Sequence, residues 1–379
     1  MRICVVYDCL FPHTVGGAER WYRNVAERLA DAGHDVTYIT LRQWDRSADA
    51  SYGGVRVCAV GPRMELYTGG RRRILPPLVF GAGVLWHLIR HGSSYDVVHT
   101  ASFPYFSLLA AGALRRVGRY DLVVDWHEVW SRDYWRDYLG RAGGAVGHLV
   151  QRLCARLEQR AFCFSRLHRE RLRAEGLRAE ATVLEGEYAG DLTPPEPHPA
   201  DPVVVFAGRH IPEKRAAAVV PAVGRARAEL PELRAEIYGD GPQRDEVLGA
   251  IADCGLDGAI AAPGFVDAEE IDRALRRALC MVLPSEREGY GLIVVEASAR
   301  GTPSVVVRAP DNAAVELVDD GENGVVAESA APEHLAAAIL RVHSEGMALR
   351  ERTCSWFARN ARRLSLESSL ERVVREYES

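Results

Sequence analysis

The sequence predicts two consecutive α/β domains, each a parallel sheet covered by helices. Three observations carry this. Residues 2–7 read as a buried strand that runs through a glycine-bearing loop into an amphipathic helix and a second strand. Between residues 186 and 202 the chain holds five prolines, from Pro194 to Pro202, together with Gly186 and Gly190. Beyond that cluster the alternation of strand, loop and helix begins again at Val203. The first pattern opens a Rossmann-like βαβ unit, and its repetition after a proline hinge predicts a second.

The elements follow in order. In the first half, strands are expected at 2–7, 36–40, 55–60, 97–100 and 122–125. A helix over 18–32 is closed by Gly33, where a glycine suits the left-handed turn that ends helices. In the second half, strands are expected at 203–207, 234–238, 278–284, 304–307 and 324–326, with helices at 271–277 and 332–342. Residues 356–378 are rich in arginine and glutamate and read as a last helix. The predicted division is a first domain over 1–185, a linker over 186–201, a second domain over 202–355 and a terminal helix over 356–379. Two such domains would offer the carboxyl ends of their sheets to a common cleft.

Composition narrows the function classes. The 379 residues are 47% hydrophobic and 26% charged, with a net charge of −5, which carries no nucleic-acid signature. Eight cysteines are scattered without a CxxC pair and read as buried apolar side chains in a reducing cytosol. The chain opens directly on a strand, so no signal peptide is expected, and no apolar run approaches the roughly 18 residues that span a bilayer. A cytoplasmic location is therefore expected. Of 47 basic residues only Lys214 is a lysine. In a chain so biased towards arginine, one retained lysine suggests a need for a compact, mobile ammonium.

Four constellations suggest chemistry. The first is Gly208-Arg209-His210-Ile211-Pro212-Glu213-Lys214, directly after the strand VVVFA. Glycine there lets a phosphate approach the backbone, and two cations beyond a strand end can neutralise a diphosphate and stabilise it as it leaves. A solvated Arg and Lys beside a helix start would look the same, and the placing of the sole lysine favours the functional reading. The second is Glu288-Gly289-Tyr290-Gly291-Leu292-Ile293-Val294-Val295-Glu296, after the buried strand CMVLP. Its glycines free the backbone at a helix N-terminus suited to an anion. Glu288 lies before the helix and Glu296 just over a turn inside it, so one carboxylate can reach sugar hydroxyls and the other a ribose diol. The third is Gly16-Gly17 before the first helix, which suits a phosphate or simply turns the chain. The fourth runs from Asp125 to Tyr138, with His127, Glu128, Asp133 and several aromatic residues. Aromatic rings stack on sugars and carboxylates bind hydroxyls or ammonium groups, although some of these rings are expected in the core.

Together these residues resemble the retaining family-4 glycosyltransferases of the GT-B fold over nearly the whole chain. The matching pieces are Gly16-Gly17-Ala18-Glu19-Arg20, Asp96-Val97-Val98-His99, His127-Glu128, Gly208-Arg209 with Glu213-Lys214, Tyr238 to Pro242, Pro263 to Val266 and Glu288 to Glu296. The resemblance implies two Rossmann-like domains facing across a cleft, with the terminal helix crossing back to the first. It implies catalytic roles for Arg209, Lys214, Glu288 and His127. Arg209 and Lys214 would hold the diphosphate, Glu288 the transferred sugar, and His127 the donor sugar or the acceptor. Gly16, Gly17, Gly208, Gly289, Tyr290, Gly291 and Leu292 would line the donor, Glu296 would bind its ribose, and Val266 would face its base. The implied donor is a nucleotide diphosphate sugar, with UDP chosen by family frequency, and no metal or other cofactor is implied.

The chain departs from the family pattern on the acceptor side. The stretch from Arg160 to Ser165 is compressed, and Glu185-Gly186-Glu187 stands where the family has an Asn-Gly turn. Asp125, Glu128, Asp133 and Glu185 are the expected acceptor contacts. An acidic, aromatic cleft suits a cationic acceptor, and the chain is similar to transferases of aminoglycoside antibiotic biosynthesis. An aminocyclitol pseudodisaccharide is therefore the preferred acceptor. One alternative is a lipid-linked or cell-wall acceptor, with the basic and apolar stretch 71–90 lying on a membrane. Because its basic cluster is short, a solvated helix is the favoured reading of that stretch. The other alternative is a non-catalytic nucleotide-sugar-binding protein. No nucleic-acid partner is expected, and the oligomeric state is left open.

Overall fold

The computed structural model describes residues 1–14, 16–45, 50–68 and 71–378, and for 67, 68, 71 and 72 the backbone only. The chain forms two compact units. The first comprises Met1–Glu185 with Glu367–Ser379, and the second Gly186–Leu366.

The first unit is built on seven strands: β1 Arg2–Val6, β2 Asp35–Leu41, β3 Arg56–Gly61, β4 Val97–Ala101, β5 Asp121–Trp126, β6 Arg160–Cys163 and β7 Thr182–Val183. They pair in parallel in the order β3-β2-β1-β4-β5-β6-β7. Strands of a sheet covered on both faces read as continuous apolar runs, which is why RICVV shows no alternation. One face is packed by α2 Leu75–His91, α3 Tyr105–Gly118 and α4 Arg132–Ala155, whose Phe80, Val84, Leu108, Ala111 and Trp135 join Cys4 and Val6 in one core. The first unit also contains α1 Gly17–Asp31 and α5 Arg166–Glu175.

The second unit repeats the design with six parallel strands: β8 Val203–Ala207, β9 Arg234–Tyr238, β10 Ile260–Gly264, β11 Cys280–Leu283, β12 Ser304–Val307 and β13 Gly324–Ala327. Their order is β10-β9-β8-β11-β12-β13. Both sheets are thus doubly wound, and strand order reverses between β1 and β4 and between β8 and β11. At such a switch point neighbouring loops part beyond the strand ends and leave a crevice for a ligand. Helices α6 Val219–Ala226, α7 Arg244–Asp253, α8 Ala268–Arg277 and α9 Leu292–Ser298 connect the strands.

The structure differs from the sequence expectation in four respects. Strands β6, β7 and β10 were not expected. The helix anticipated at 332–342 is α10 Pro332–Leu364, interrupted at Gly346, where φ is 52°. The terminal piece of the first unit begins at Glu367, within α11 Leu366–Glu378, and not at Trp356. Trp356 and Phe357 are anchored in the second unit: the Trp356 indole N–H donates to Asp319 at 2.6 Å, and Phe357 meets the Tyr188 ring edge-on. Finally, α2 is not a helix with a polar outer face. Its outward stripe holds Ile74, Leu75, Leu78, Leu85, Trp86 and Ile89, all exposed.

Candidate active site

In the second unit the loops after β8, β9 and β10 are tied edge to edge. The Gly208 N–H donates to Tyr238 O at 3.2 Å, the Gly239 N–H to Gly264 O at 2.8 Å and the His210 N–H to Asp240 O at 2.9 Å. Gly239 makes this possible. Its φ is 122°, and a Cβ there would collide with the Gly208 carbonyl. The interlock fixes where the chain leaves β8 and therefore where Arg209 and Lys214 emerge.

Lys214 ends a single 3₁₀ turn, Pro212–Lys214, and its Nζ donates to Glu288 Oε1 at 2.5 Å. Glu288 lies on the other side of the switch point, in a two-residue strand, Arg287–Glu288, that pairs with Asp311–Asn312. Ser285 Oγ donates to the same carboxylate oxygen at 2.8 Å. The Glu286 N–H donates to Glu213 O at 2.8 Å and joins the two loops a second time. Glu288 is buried and Lys214 half-buried, and the second bond from Ser285 helps this pair hold its geometry better than a surface ion pair. Arg209 differs. Its side chain is exposed and has no ion pair or hydrogen bond among the described residues. One cation is thus locked in place and the other is open to an incoming anion.

The remaining expected donor residues divide by placement. Gly291 caps α9 with φ at 100°, and its left-handed turn lies against Ala314. The Tyr290 side chain is buried, so only its backbone is offered to a ligand. Glu296 is half-buried within α9. Val266 lines a pocket with Glu236, Tyr238, Pro263 and Glu270 at the end of β10. In the first unit Gly16 caps α1, and a side chain there would run into the Glu19 carboxylate, whereas the space beside Gly17 is open. Among the described residues no group of three or more His, Cys, Asp or Glu is placed to hold a metal ion.

At the end of β5 the first unit carries a buried polar chain. The Trp21 indole N–H donates to Asp125 Oδ2 at 2.7 Å. His99 Nε2 lies 2.9 Å from Asp125 Oδ1. His99 Nδ1 shares a hydrogen bond of 2.6 Å with the Tyr377 hydroxyl on α11. Burial pushes the Asp125 carboxyl up, but His99, His127 and Trp21 together outweigh it and hold the group below its usual value. His127 stacks on Phe164 with 4.4 Å between ring centres, and its Nε2 has no hydrogen-bond partner. Burial lowers its basicity, and the Asp125 charge only partly restores it.

This placement corrects one acceptor expectation, Asp125. Asp125 is fully buried and holds Trp21 and His99, so it offers no edge to an acceptor. Asp133 is exposed on the first turn of α4, 3.2 Å from the likewise exposed Arg136. Glu128 accepts from the Trp130 indole at 2.8 Å. Glu185 is half-buried at the end of the first unit. The structure therefore joins Lys214 to Glu288 and takes Asp125 into the core. Sequence reasoning missed Ser285, Trp21 and Tyr377. His99 was visible only through its Asp96-Val97-Val98-His99 run.

Two doubly wound domains with a cation–carboxylate pair at a switch point define the GT-B class, and comparison with known proteins agrees. The Glycosyltransferase Family 4 model matches residues 15–185 and the Glycosyl transferases group 1 model matches residues 194–363. The chain is thus a glycosyltransferase that carries both of these domains. It is similar to a glycogen synthase of Mycobacterium tuberculosis, with 28% identity covering 91% of this chain and 86% of that protein. It is also similar to a 2-deoxystreptamine glucosyltransferase of Streptomyces kanamyceticus, with 31% identity over 35% of this chain and 32% of that protein. Among solved structures, HepE of Anabaena in complex with UDP superposes with a TM-score of 0.75 at 18% identity, covering 100% of both chains.

Proposed function

We propose that this glycosyltransferase moves a hexosyl or pentosyl group from a nucleoside diphosphate sugar, UDP-linked, to an acceptor hydroxyl with retention of configuration. The observation that carries this is the fixed Lys214–Glu288 pair at the switch point, with the unpaired Arg209 on the same loop. The two cations neutralise the diphosphate and stabilise the charge that grows on it as the bond from C1 to the phosphate oxygen breaks. The acceptor oxygen forms its bond to C1 on the face being vacated, and its proton passes to the departing phosphate oxygen. Glu288 accepts hydrogen bonds from hydroxyls of the transferred sugar, and Glu296 from the ribose. By the family resemblance, His127 contacts the donor sugar or the acceptor. Gly17 and the backbone from Gly289 to Leu292 approach phosphate and sugar. HepE, solved with UDP, supports the choice of base.

For the acceptor we propose an aminocyclitol pseudodisaccharide. Its support is the likeness to a 2-deoxystreptamine glucosyltransferase. A lipid-linked or cell-wall glycan acceptor is a second reading, favoured by the exposed apolar face of α2.

Calorimetric titration of UDP, GDP, ADP and dTDP into wild type and Lys214→Ala, with EDTA present, tests the donor site. Saturable binding of one nucleotide, weakened by the substitution, is expected. No binding to any of the four would sink the donor assignment. Substituting Asp133→Asn and Glu185→Gln tests the acceptor, since an unchanged KM for an aminocyclitol acceptor removes that proposal.

A further inference from the structure

Among the described residues, twelve of the seventeen exposed large apolar side chains lie on α2, α3 and α4 or at the start of α2. On α2 they form one stripe: Ile74 is 70% exposed, and Trp86 and Ile89 are each 58% exposed. The opposite face of the same helix, with Phe80, Val84 and Leu88, is fully buried in the core. The helix is therefore apolar on both sides, and only one side has a partner. Helix α4 adds Val146, Leu149 and Leu153, at the i, i+3 and i+7 spacing of a second stripe. A soluble surface seldom gathers apolar side chains in this way without a purpose.

The face is rigidly presented. Gly83 turns the space of its missing side chain to the Val60 carbonyl, and at Gly81 a Cβ would come within 2.6 Å of Phe106 Cβ. Helix α2 thus lies too close to its own unit to detach and cover its stripe.

Charge selects the occupant. Neither α2 nor α3 contains an acidic residue, whereas they carry Arg90, Arg116 and Arg115, the last paired with Glu158; Arg71 to Arg73 precede α2 in sequence, and α4 sets Arg132, Arg136, Arg141 and Arg152 against Asp133 and Asp137. The Arg90 guanidinium lies 3.4 Å from the centre of the Trp86 ring, so a cation and an amphipathic aromatic occupy one spot. Trp at an apolar–polar boundary with basic side chains beside it matches the edge of an anionic bilayer. Two copies of the face pressed together would instead set these arginines against one another. No helix of the described residues is long and apolar enough to cross a membrane.

We propose that the α2–α3–α4 face seats the protein on an anionic lipid surface, with Trp86 and Ile89 entering the boundary between headgroups and acyl chains and Arg90 meeting lipid phosphates. This holds for whichever donor or acceptor the enzyme uses.

Flotation of the full chain with vesicles tests it, without nucleotide or acceptor. Phosphatidylcholine vesicles doped with phosphatidylglycerol are expected to carry the protein at low salt, and added salt to release it. Pure phosphatidylcholine should carry about tenfold less. The double substitution Trp86→Ser, Ile89→Ser should lower flotation on anionic vesicles by about tenfold or more, the order expected for two apolar insertions. UDP binding by that variant, compared with wild type, checks that it is folded. Flotation with neither vesicle, or equal flotation with both, overturns the proposal. So does a concentration-dependent dimer in sedimentation that the double substitution abolishes, because the stripe is then an interface between two copies.

Discussion

Lys214 and Glu288 lie 74 residues apart in sequence, yet Nζ and Oε1 are 2.5 Å apart across the switch point of the second sheet. The ammonium is thus fixed before any donor arrives, and the loss of either partner should differ in kind. Lys214→Ala is expected to lower kcat by about a hundredfold, as loss of one preorganised charge does at other transfer sites. Glu288→Gln keeps a hydrogen-bond acceptor for Lys214 and should leave UDP affinity within a few fold while still depressing kcat. Steady-state kinetics beside calorimetry separates the two. Equal loss of UDP affinity in both variants would mean that Glu288 acts only by holding Lys214.

The Tyr377 hydroxyl completes the chain from α11 through His99 to Asp125. Tyr377→Phe removes one oxygen and leaves His99 Nδ1 without that partner in a fully buried place. The expected cost is about 1–3 kcal/mol of stability in the first unit. Chemical denaturation followed by fluorescence measures it, and a value near zero would show that the contact contributes nothing.

Glycine positions give a graded test. At Gly239 a side chain meets the Gly208 carbonyl, whereas at Gly255, with φ of 64°, a Cβ meets nothing within 4 Å. Gly255→Ala should cost only the conformational strain, about 1 kcal/mol. Gly239→Ala should cost more and also weaken UDP binding, because it parts the loop that carries Arg209 and Lys214. Similar stability losses and unchanged UDP affinity in both would refute the interlock as a determinant of the donor loop.

Acid should act on two buried histidines before most carboxylates titrate. Burial, with His91 adding to it, lowers His87 to about 4, and burial also lowers His127. The unfolded chain holds these imidazoles near 6.5. Between pH 6.5 and 4 the unfolded state therefore binds more protons at these two histidines, whose contribution to stability falls as pH falls, whereas the buried Glu187 carboxyl, pushed up to about 7, acts in the opposite sense. In Glu187→Gln, which lacks that opposing carboxyl, the thermal midpoint should drop from pH 7 to pH 5. His87→Gln, which can still bond the Tyr95 hydroxyl that His87 meets at 2.8 Å, should make the drop shallower. An unchanged slope would assign the effect elsewhere.

Much of the fold could be read from the sequence because parallel strands buried on both faces leave uninterrupted apolar runs, as in RICVV and VVVFA. Strand β10 hid because its IAAPG holds alanine, proline and glycine, with Ala261 and Pro263 exposed. The strand–loop–helix spacing pointed to Lys214 and Glu288 singly. Nothing local could announce their pairing, which depends on the crossover that brings β11 beside β8. Asp125 misled for a related reason. A carboxylate at a strand end looks available, and only the arrival of Trp21 from α1 and of His99 from β4 buries it. The stripe on α2 was plain as composition, but which half of an all-apolar helix faces outward is decided by packing.

Lys214 is the only lysine of the chain and remains partly accessible beside Glu288. A reagent that acylates primary amines therefore has two targets, this side chain and the amino terminus. The proposed donor pocket carries a built-in chemical address. Protection of that one amine by UDP would map occupancy without any engineered label, and a fluorophore or crosslinker could be set there by ordinary amine chemistry.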